Sequence, residues 1–110
     1  MNYKQRVKEI FVDCGLSTRL KGVKYIADAV EYIDVDYNCD ILMDEVYSEL
    51  AYKYNSTPVK IQQNMKYAFR KALESKNEAV VKKYLTASSI GNKVLVFHLY
   101  SRIESEGNRR

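Results

Sequence analysis

The chain has 110 residues, of which 46% are hydrophobic, and this is the size of a single domain that buries one core without disulfides or metals. Its single histidine and its two cysteines, which are not spaced as Cys-x-x-Cys, exclude the common zinc motifs. The net charge of +4 is modest, and only four glycines and one proline interrupt the helical spacing of the apolar residues. The sequence therefore predicts an all-α fold, a compact bundle of about six helices that forms one domain over residues 1–110.

The first predicted helix runs from about Tyr3 to Cys14 and ends at Gly15, a residue type suited to the position after a helix. Its apolar face consists of Val7, Ile10, Phe11 and Cys14. Cys14 is therefore predicted to be a buried free thiol, which is typical of a protein in the reducing cytoplasm. Because the sequence shows no signal peptide and no apolar run of about 18 residues, we expect a cytoplasmic protein with no membrane partner.

The second predicted helix runs from Ser17 or Thr18 to Ile33 and contains Gly22, which costs about 1 kcal/mol of helix propensity relative to alanine. A close crossing with another helix would explain this glycine. The inward-facing residues are predicted to be Leu20, Val23, Ala27, Val30 and either Tyr32 or Ile33. A polar connector follows up to Asp40, which is predicted to cap the start of the third helix.

The third and fourth predicted helices, within the stretch from Ile41 to Leu73, are joined by a short turn. The apolar face of the third helix consists of Val46, Leu50, Ala51 and Tyr54. Asn55 should end this helix, since asparagine is the non-glycine residue that most readily adopts the left-handed conformation. Thr57 is predicted to cap the fourth helix, which then begins at Pro58. Two helices joined in this way are typical of a helix-turn-helix that reads DNA.

The fourth helix, about residues 58–74, is predicted to be the recognition helix in the major groove. Its inward stripe consists of Ile61, Met65, Ala68, Phe69 and Ala72. The predicted DNA-binding residues are Thr57, Lys60, Gln62, Gln63, Lys66, Tyr67 and Arg70. Glutamine can bind adenine through two bonds, lysine can donate to guanine or phosphate, and tyrosine can bond a phosphate or pack on a thymine methyl group. The alternative is that this polar face is only a solvated surface.

After a break at residues 75–77, a short fifth helix is predicted from Glu78 to Leu85. The last helix, from Val94 to Ile103, is apolar over most of its circumference. Such a helix is either wholly buried or shared with a partner, so homodimerisation through residues 94–103 is one interpretation. The core of the domain is expected to span about residues 4–104, with residues 105–110 as a frayed tail.

Charge is distributed unevenly along the chain. Residues 28–49 carry eight acidic side chains and no lysine or arginine, whereas residues 53–83 carry eight basic side chains and only two acidic ones. The basic block coincides with the predicted recognition helix and is what a polyanionic partner requires. The acidic block should lie away from DNA, either as a solvated rim of two helices or as a contact for a basic protein partner.

Motifs for catalysis are absent from the sequence, which has no glycine-rich phosphate loop, metal cluster or nucleophile motif. His98 lies in the apolar last helix and is interpreted as a structural or interface residue. We therefore expect a protein that is not an enzyme, with no catalytic residues, no cofactor and no metal site.

Two stretches, CGLSTRLKGVKYIADAV and EVYSELAYKYNSTPVKIQQNMKYAFRKAL, together point to a known family. They resemble the C-terminal effector domain of the sporulation-initiation response regulator, stage zero sporulation protein A, of endospore-forming Firmicutes. The most specific matches are Lys21, Gly22, Tyr25, Ala29, Tyr47, Ala51, Lys53, Asn55, Thr57 and Ala68. The resemblance covers about residues 8–104 and is strongest across the helix-turn-helix.

The resemblance implies a six-helix domain that binds tandem promoter sites as a dimer and contacts the RNA polymerase sigma factor. The family's DNA contacts would fall on Lys60, Gln62, Gln63, Lys66 and Tyr67. At these positions lysine, glutamine and tyrosine largely replace the family's arginine, glutamate and histidine. The target DNA sequence should therefore differ from the family's, while the recognition helix should dock on DNA in the same way. The stretch between the recognition helix and the last helix is shorter than in the family, which weakens the transfer of the sigma-contacting surface.

The chain starts almost directly on the effector domain, without a phosphoacceptor receiver domain, so it is interpreted as either a fragment or a stand-alone variant. The sequence predicts a sequence-specific double-stranded DNA-binding transcriptional regulator. The alternative is a module that does not bind DNA and instead binds a sporulation regulator or sigma factor, with the acidic block as its contact surface.

Overall fold

Six α-helices and no strand are present in the residues that the computed structural model describes, namely 2–35, 42–87 and 89–107. The helices are α1 (Tyr3–Asp13), α2 (Lys21–Val35), α3 (Met43–Lys53), α4 (Pro58–Leu73), α5 (Glu78–Tyr84) and α6 (Asn92–Gly107). The predicted all-α bundle is confirmed. Over the same described ranges, none of the helices has the length and apolar character that crossing a membrane requires.

The centre of the bundle is α2, which packs against α1, α4 and α6. It buries side chains on most of its circumference, because neighbours cover it on several sides. Phe11 of α1 and Phe69 of α4 are almost fully buried in the same core, with their ring centroids 5.9 Å apart. The predicted close crossing at Gly22 is confirmed, since this residue lies directly against Asn64 and Ala68 of α4.

Most apolar residues of α6 lie inside the chain's own core. Leu95, Val96, Leu99 and Ile103 have no exposed surface. Burial within the chain therefore accounts for these four residues, whereas Val94 and Phe97 are only partly buried. Homodimerisation through residues 94–103 stays a prediction.

Cys14 is a buried free cysteine, as predicted, and burial raises the pKa of its thiol. Cys39 lies outside the described residues.

Some helix boundaries differ from the prediction. α2 begins at Lys21 rather than at Ser17 or Thr18, because a turn precedes it in which the backbone N–H groups of Arg19 and Leu20 donate to the hydroxyl and the carbonyl of Ser17. α6 begins at Asn92 and continues to Gly107, so residues 105–107 of the predicted tail are helical. The prediction that Asp40 caps α3 is wrong, because Leu42 is the residue directly before this helix and its side chain makes no capping hydrogen bond. Asp40 itself and residues 108–110 lie outside the described residues.

One member of the acidic block, Asp28, is buried rather than part of a solvated rim. Its Oδ1 lies 2.8 Å from the Nζ atom of Lys4, and its Oδ2 lies 3.0 Å from the Nζ atom of Lys53. The hydroxyl of Tyr54 also donates to Oδ2. This cluster joins α1, α2 and the end of α3, and so it fixes the residues from which the turn to α4 departs.

Candidate nucleic-acid interface

The turn between α3 and α4 has the predicted geometry. Asn55 is the only non-glycine residue with positive φ in the described ranges, at 52°. The N–H of Ser56 donates to the carbonyl of Ala51 at 2.8 Å, and the N–H of Asn55 donates to the carbonyl of Tyr52 at 3.4 Å. This pair of bonds satisfies the last carbonyls of α3 in the manner of a Schellman motif, with asparagine in place of the usual glycine.

Thr57 caps α4, as predicted. Its backbone is extended, and its Oγ1 accepts a hydrogen bond of 3.2 Å from the N–H of Lys60. Pro58 occupies the first helical position, where its missing N–H costs nothing. The side chain of Thr57 remains exposed, so its hydroxyl can still donate to an anion beside the start of the helix.

The inward stripe of α4 is the predicted one. Its buried residues are Ile61, Met65, Ala68, Phe69 and Ala72. These residues face α2, α3 and α6, all of which contact α4. Because one face of α4 is buried in the core, the orientation of the helix is fixed and its opposite face points to solvent.

All of the predicted DNA-binding residues are exposed. The structure places Thr57, Lys60, Gln62, Gln63, Lys66, Tyr67 and Arg70 together at the start and along the outer face of α4. Over residues 2–35, 42–87 and 89–107, no ion pair involves Lys60, Lys66 or Arg70. No carboxylate among the described residues neutralises these three positive charges, so an anionic partner can pair with them.

Tyr67 lies among cations on this face. The guanidinium carbon of Arg70 and the Nζ atom of Lys71 each lie 5.8 Å from the centre of its ring. Lys71 was not among the predicted DNA-binding residues, although its spacing of four from Tyr67 was visible in the sequence. Its ammonium group also lies 3.9 Å from Glu74, so part of its charge is already compensated.

Asn92, the first residue of α6, and Ile90 just before it lie beside α4, which the sequence did not indicate. Asn92 is buried, and its side-chain amide donates to the hydroxyl of Tyr47 at 3.2 Å and to the backbone carbonyl of Gln62 at 3.1 Å. Ile90, with 73% of its surface exposed, lines a small depression together with Lys66 and Arg70. The outer surface of α4 is thus extended by residues that only the tertiary structure brings there.

A sequence model of one protein family, described as "Sporulation initiation factor Spo0A C terminal", matches residues 7–94. The chain belongs to this family. The match includes all of α2, α3, the turn and α4, and the family that the sequence resembled is thereby confirmed. No curated protein and no solved structure matches the chain significantly.

Family membership establishes the function at a coarse level. The Spo0A C-terminal family is one of DNA-binding effector domains that control transcription in sporulation, and it is not an enzyme family. This member therefore is a DNA-binding regulatory domain. In it, the exposed basic face of α4 lies on the second helix of the α3–turn–α4 pair, where a helix-turn-helix protein presents its recognition surface.

The exposed carboxylates of the acidic block that the structure describes lie on other helices of this family member. Glu31, Asp44, Glu45 and Glu49 are exposed on α2 and α3, and none of them lies on α4. Two depressions beside these carboxylates are lined by α2 and α3, and a third, beside Glu31, is also lined by Asn2 and by Tyr3 of α1. The basic surface thus lies on α4, whereas the exposed carboxylates lie on α2 and α3.

Proposed function

We propose that this chain is a sequence-specific double-stranded DNA-binding transcriptional regulator that inserts α4 into the major groove. The observation that carries the proposal is the outer face of α4, on which three cations that make no ion pair within the described ranges flank two exposed glutamines. Unpaired lysine and arginine supply the phosphate attraction, and glutamine supplies the base discrimination.

Each residue has a role that follows from its position along α4. Lys60, Gln62 and Gln63 lie in the first two turns, which in helix-turn-helix proteins meet base edges. Lys66 and Arg70 lie further along and would contact phosphate, with the ring of Tyr67 beside Arg70. Thr57 would donate to a phosphate at the start of the helix, where the helix dipole favours an anion.

Two partner contacts belong to the same proposal. The bound protein would occupy tandem promoter sites as a dimer and would contact the RNA polymerase sigma factor. Val94 and Phe97 are apolar residues of α6 that are only partly buried, so a dimer formed through residues 94–103 would use these two side chains.

The experiment that tests the proposal is selection of bound sequences from a random duplex library, followed by titration of the selected duplex at several salt concentrations. The affinity should fall with salt with a log–log slope of about 0.9 per neutralised phosphate. Lys66→Ala combined with Arg70→Ala should weaken binding at least about tenfold and reduce this slope by about one for each lost phosphate contact.

The matched control is Lys8→Ala combined with Lys82→Ala, which removes the same charge from α1 and α5. This control should retain most of the affinity and of the salt slope. Equal effects of the two double variants would contradict docking through α4. If no duplex is bound even at low salt, the alternative of a protein-interaction module without DNA binding is favoured.

A further inference from the structure

A groove runs between the C-terminal half of α2 and α3. Its main part has a volume of about 300 Å³ and is lined by residues that include Glu31, Tyr32, Val35, Glu49 and Tyr52. It continues past Tyr32 and Glu49 to Asp44 and Glu45, at the start of α3. We call this surface, defined by these seven residues, the acidic groove.

The acidic groove carries a concentrated negative charge. Within the described ranges, no ion pair involves Glu31, Asp44, Glu45 or Glu49. Lys53 borders the groove, but its ammonium group is bound to the buried Asp28. Residues 28–49 contain no lysine or arginine. The groove therefore attracts cations.

Helix stability explains only part of this charge. Asp44 and Glu45 lie in the first turn of α3, where a carboxylate is favoured by the helix dipole. Glu31 and Glu49 lie beyond the first turn of their helices, so the helix dipole does not stabilise their carboxylates. Their negative charges also lie close to the other carboxylates of the groove, which costs free energy in the isolated chain.

The same groove exposes apolar side chains. Tyr52 has 90% of its surface exposed and Val35 has 81%, so neither contributes much to the folded core. An isolated exposed apolar residue needs no explanation, but these two border one groove together with unpaired carboxylates. Aromatic and aliphatic surface with a polar rim is typical of a protein-binding site.

We propose that the acidic groove binds an amphipathic helix of another protein that is rich in lysine and arginine. The apolar face of such a helix would pack between Tyr52 and Val35, and its basic residues would pair with Glu31 and Glu49. DNA is excluded as the occupant, because the carboxylates repel phosphate. A second copy of this chain is disfavoured, because under the proposed function DNA covers its basic face on α4.

The test uses the whole chain and a fluorescein-labelled helical peptide of about 18 residues, built from leucine and lysine so that one face is apolar and the other basic. Fluorescence anisotropy measures its binding. Glu31→Gln combined with Glu49→Gln should weaken binding about three- to tenfold, and added salt should reduce this difference. Tyr52→Ala should weaken binding by a similar factor at all salt concentrations.

The matched control, Glu74→Gln combined with Glu78→Gln, removes the same charge from the end of α4 and the start of α5. It should change peptide binding less than twofold. Asp28 and Lys53 are left unchanged in all variants, because they are part of the buried ion cluster. Thermal unfolding of each variant verifies that it is folded.

Equal weakening by the two double variants would overturn the proposal, because the peptide would then be responding to net charge alone. If sedimentation shows a wild-type dimer that Glu31→Gln with Glu49→Gln dissociates, the occupant is a second copy and the proposal is also overturned. Titration of the same variants with duplex DNA separates this inference from the proposed function, since they should keep the wild-type DNA affinity.

Discussion

Gly22 of α2 lies so close to Asn64 of α4 that a Cβ atom on Gly22 would lie 2.1 Å from the backbone carbonyl oxygen of Asn64. The same atom would lie 2.7 Å from the Cβ atom of Ala68. Asn64 lies between Gln63 and Lys66 on the proposed recognition helix. The absence of a side chain at one position of α2 therefore sets how deeply α4 is seated and where its outer face points.

Gly22→Ala should reduce the free energy of unfolding by about 2 kcal/mol, because the overlap with backbone atoms outweighs the better helix propensity of alanine. It should also weaken DNA binding by displacing α4. Denaturant unfolding and duplex titration measure the two effects. Gly91→Ala is the control, since its nearest neighbour would be the Ser89 hydroxyl at 3.5 Å, and its stability should change by less than about 0.5 kcal/mol. Equal stability of the two variants would contradict the close crossing.

Asn55 ends α3 with a φ of 52°, a conformation that is unfavourable for residues with an ordinary Cβ atom. Asn55→Ala should therefore lower the free energy of unfolding by about 1 kcal/mol. Asn55→Gly should be as stable as the wild type or slightly more stable, because glycine adopts this conformation without steric cost. Urea unfolding of the three proteins measures the order, and an alanine variant as stable as the glycine variant would be inconsistent with a left-handed residue here.

Asp28 should make stability depend on pH. Burial raises its pKa, but the bonds from Lys4, Tyr54 and Lys53 outweigh burial and hold the pKa below its ordinary value. The carboxylate is thus favoured in the folded state, and its contribution is present above the unfolded-state pKa, about 4, and is lost as the pH falls through the folded-state pKa. Asp28→Asn should cost about 2 kcal/mol at pH 7.

The difference in the free energy of unfolding between wild type and Asp28→Asn should shrink as the pH is lowered from about 5 to below 3. Denaturant unfolding at a series of pH values measures this. Glu49→Gln, which changes an exposed carboxylate without an ion pair in the described ranges, should show little deficit at any of these pH values. A deficit of Asp28→Asn that does not vary with pH would indicate lost packing rather than a lost charge.

Asn92 is a further support of α4, through its two donated hydrogen bonds. Asn92→Ala should lower the free energy of unfolding by about 1.5 kcal/mol, because the backbone carbonyl of Gln62 and the hydroxyl of Tyr47 lose a buried donor. Lys93→Ala, at the exposed neighbouring position, should change stability by less than about 0.5 kcal/mol. If both variants unfold at the same denaturant concentration, the two bonds contribute nothing measurable.

Local chemistry explains why α4 and the turn before it could be predicted from sequence. The buried stripe follows from helical periodicity, and the roles of Asn55 and Thr57 follow from backbone preferences that need no knowledge of neighbours. Gly22 was predicted to lie at a crossing, but its partner Asn64 was not, because one sequence does not say which helices meet.

The other supports of the site depend on residues far apart in sequence. Asp28 was grouped with the acidic block by composition, although the structure buries it against Lys4 and Lys53. Nothing in the sequence indicated that Asn92 supports α4, because its hydrogen-bond partners lie 30 and 45 positions away. The excess of negative charge in residues 28–49 could be read from the sequence. The groove could not be predicted, because it forms only where α2 and α3 lie side by side.

Gln63 should contribute to the choice of base rather than to phosphate attraction. It is exposed on the outer face of α4, one position before Asn64, whose contact with Gly22 fixes the depth of the helix. A glutamine that binds adenine through two bonds is worth about 1–3 kcal/mol of discrimination at one base pair. Gln63→Ala should therefore relax the preference at one position of the selected duplex and leave the salt slope unchanged, because no charge is removed. Titration of duplexes that vary at each position measures this, with Lys66→Ala for comparison, which should weaken all duplexes alike and lower the slope. A Gln63→Ala variant that loses affinity uniformly for every duplex would indicate that Gln63 does not face the bases.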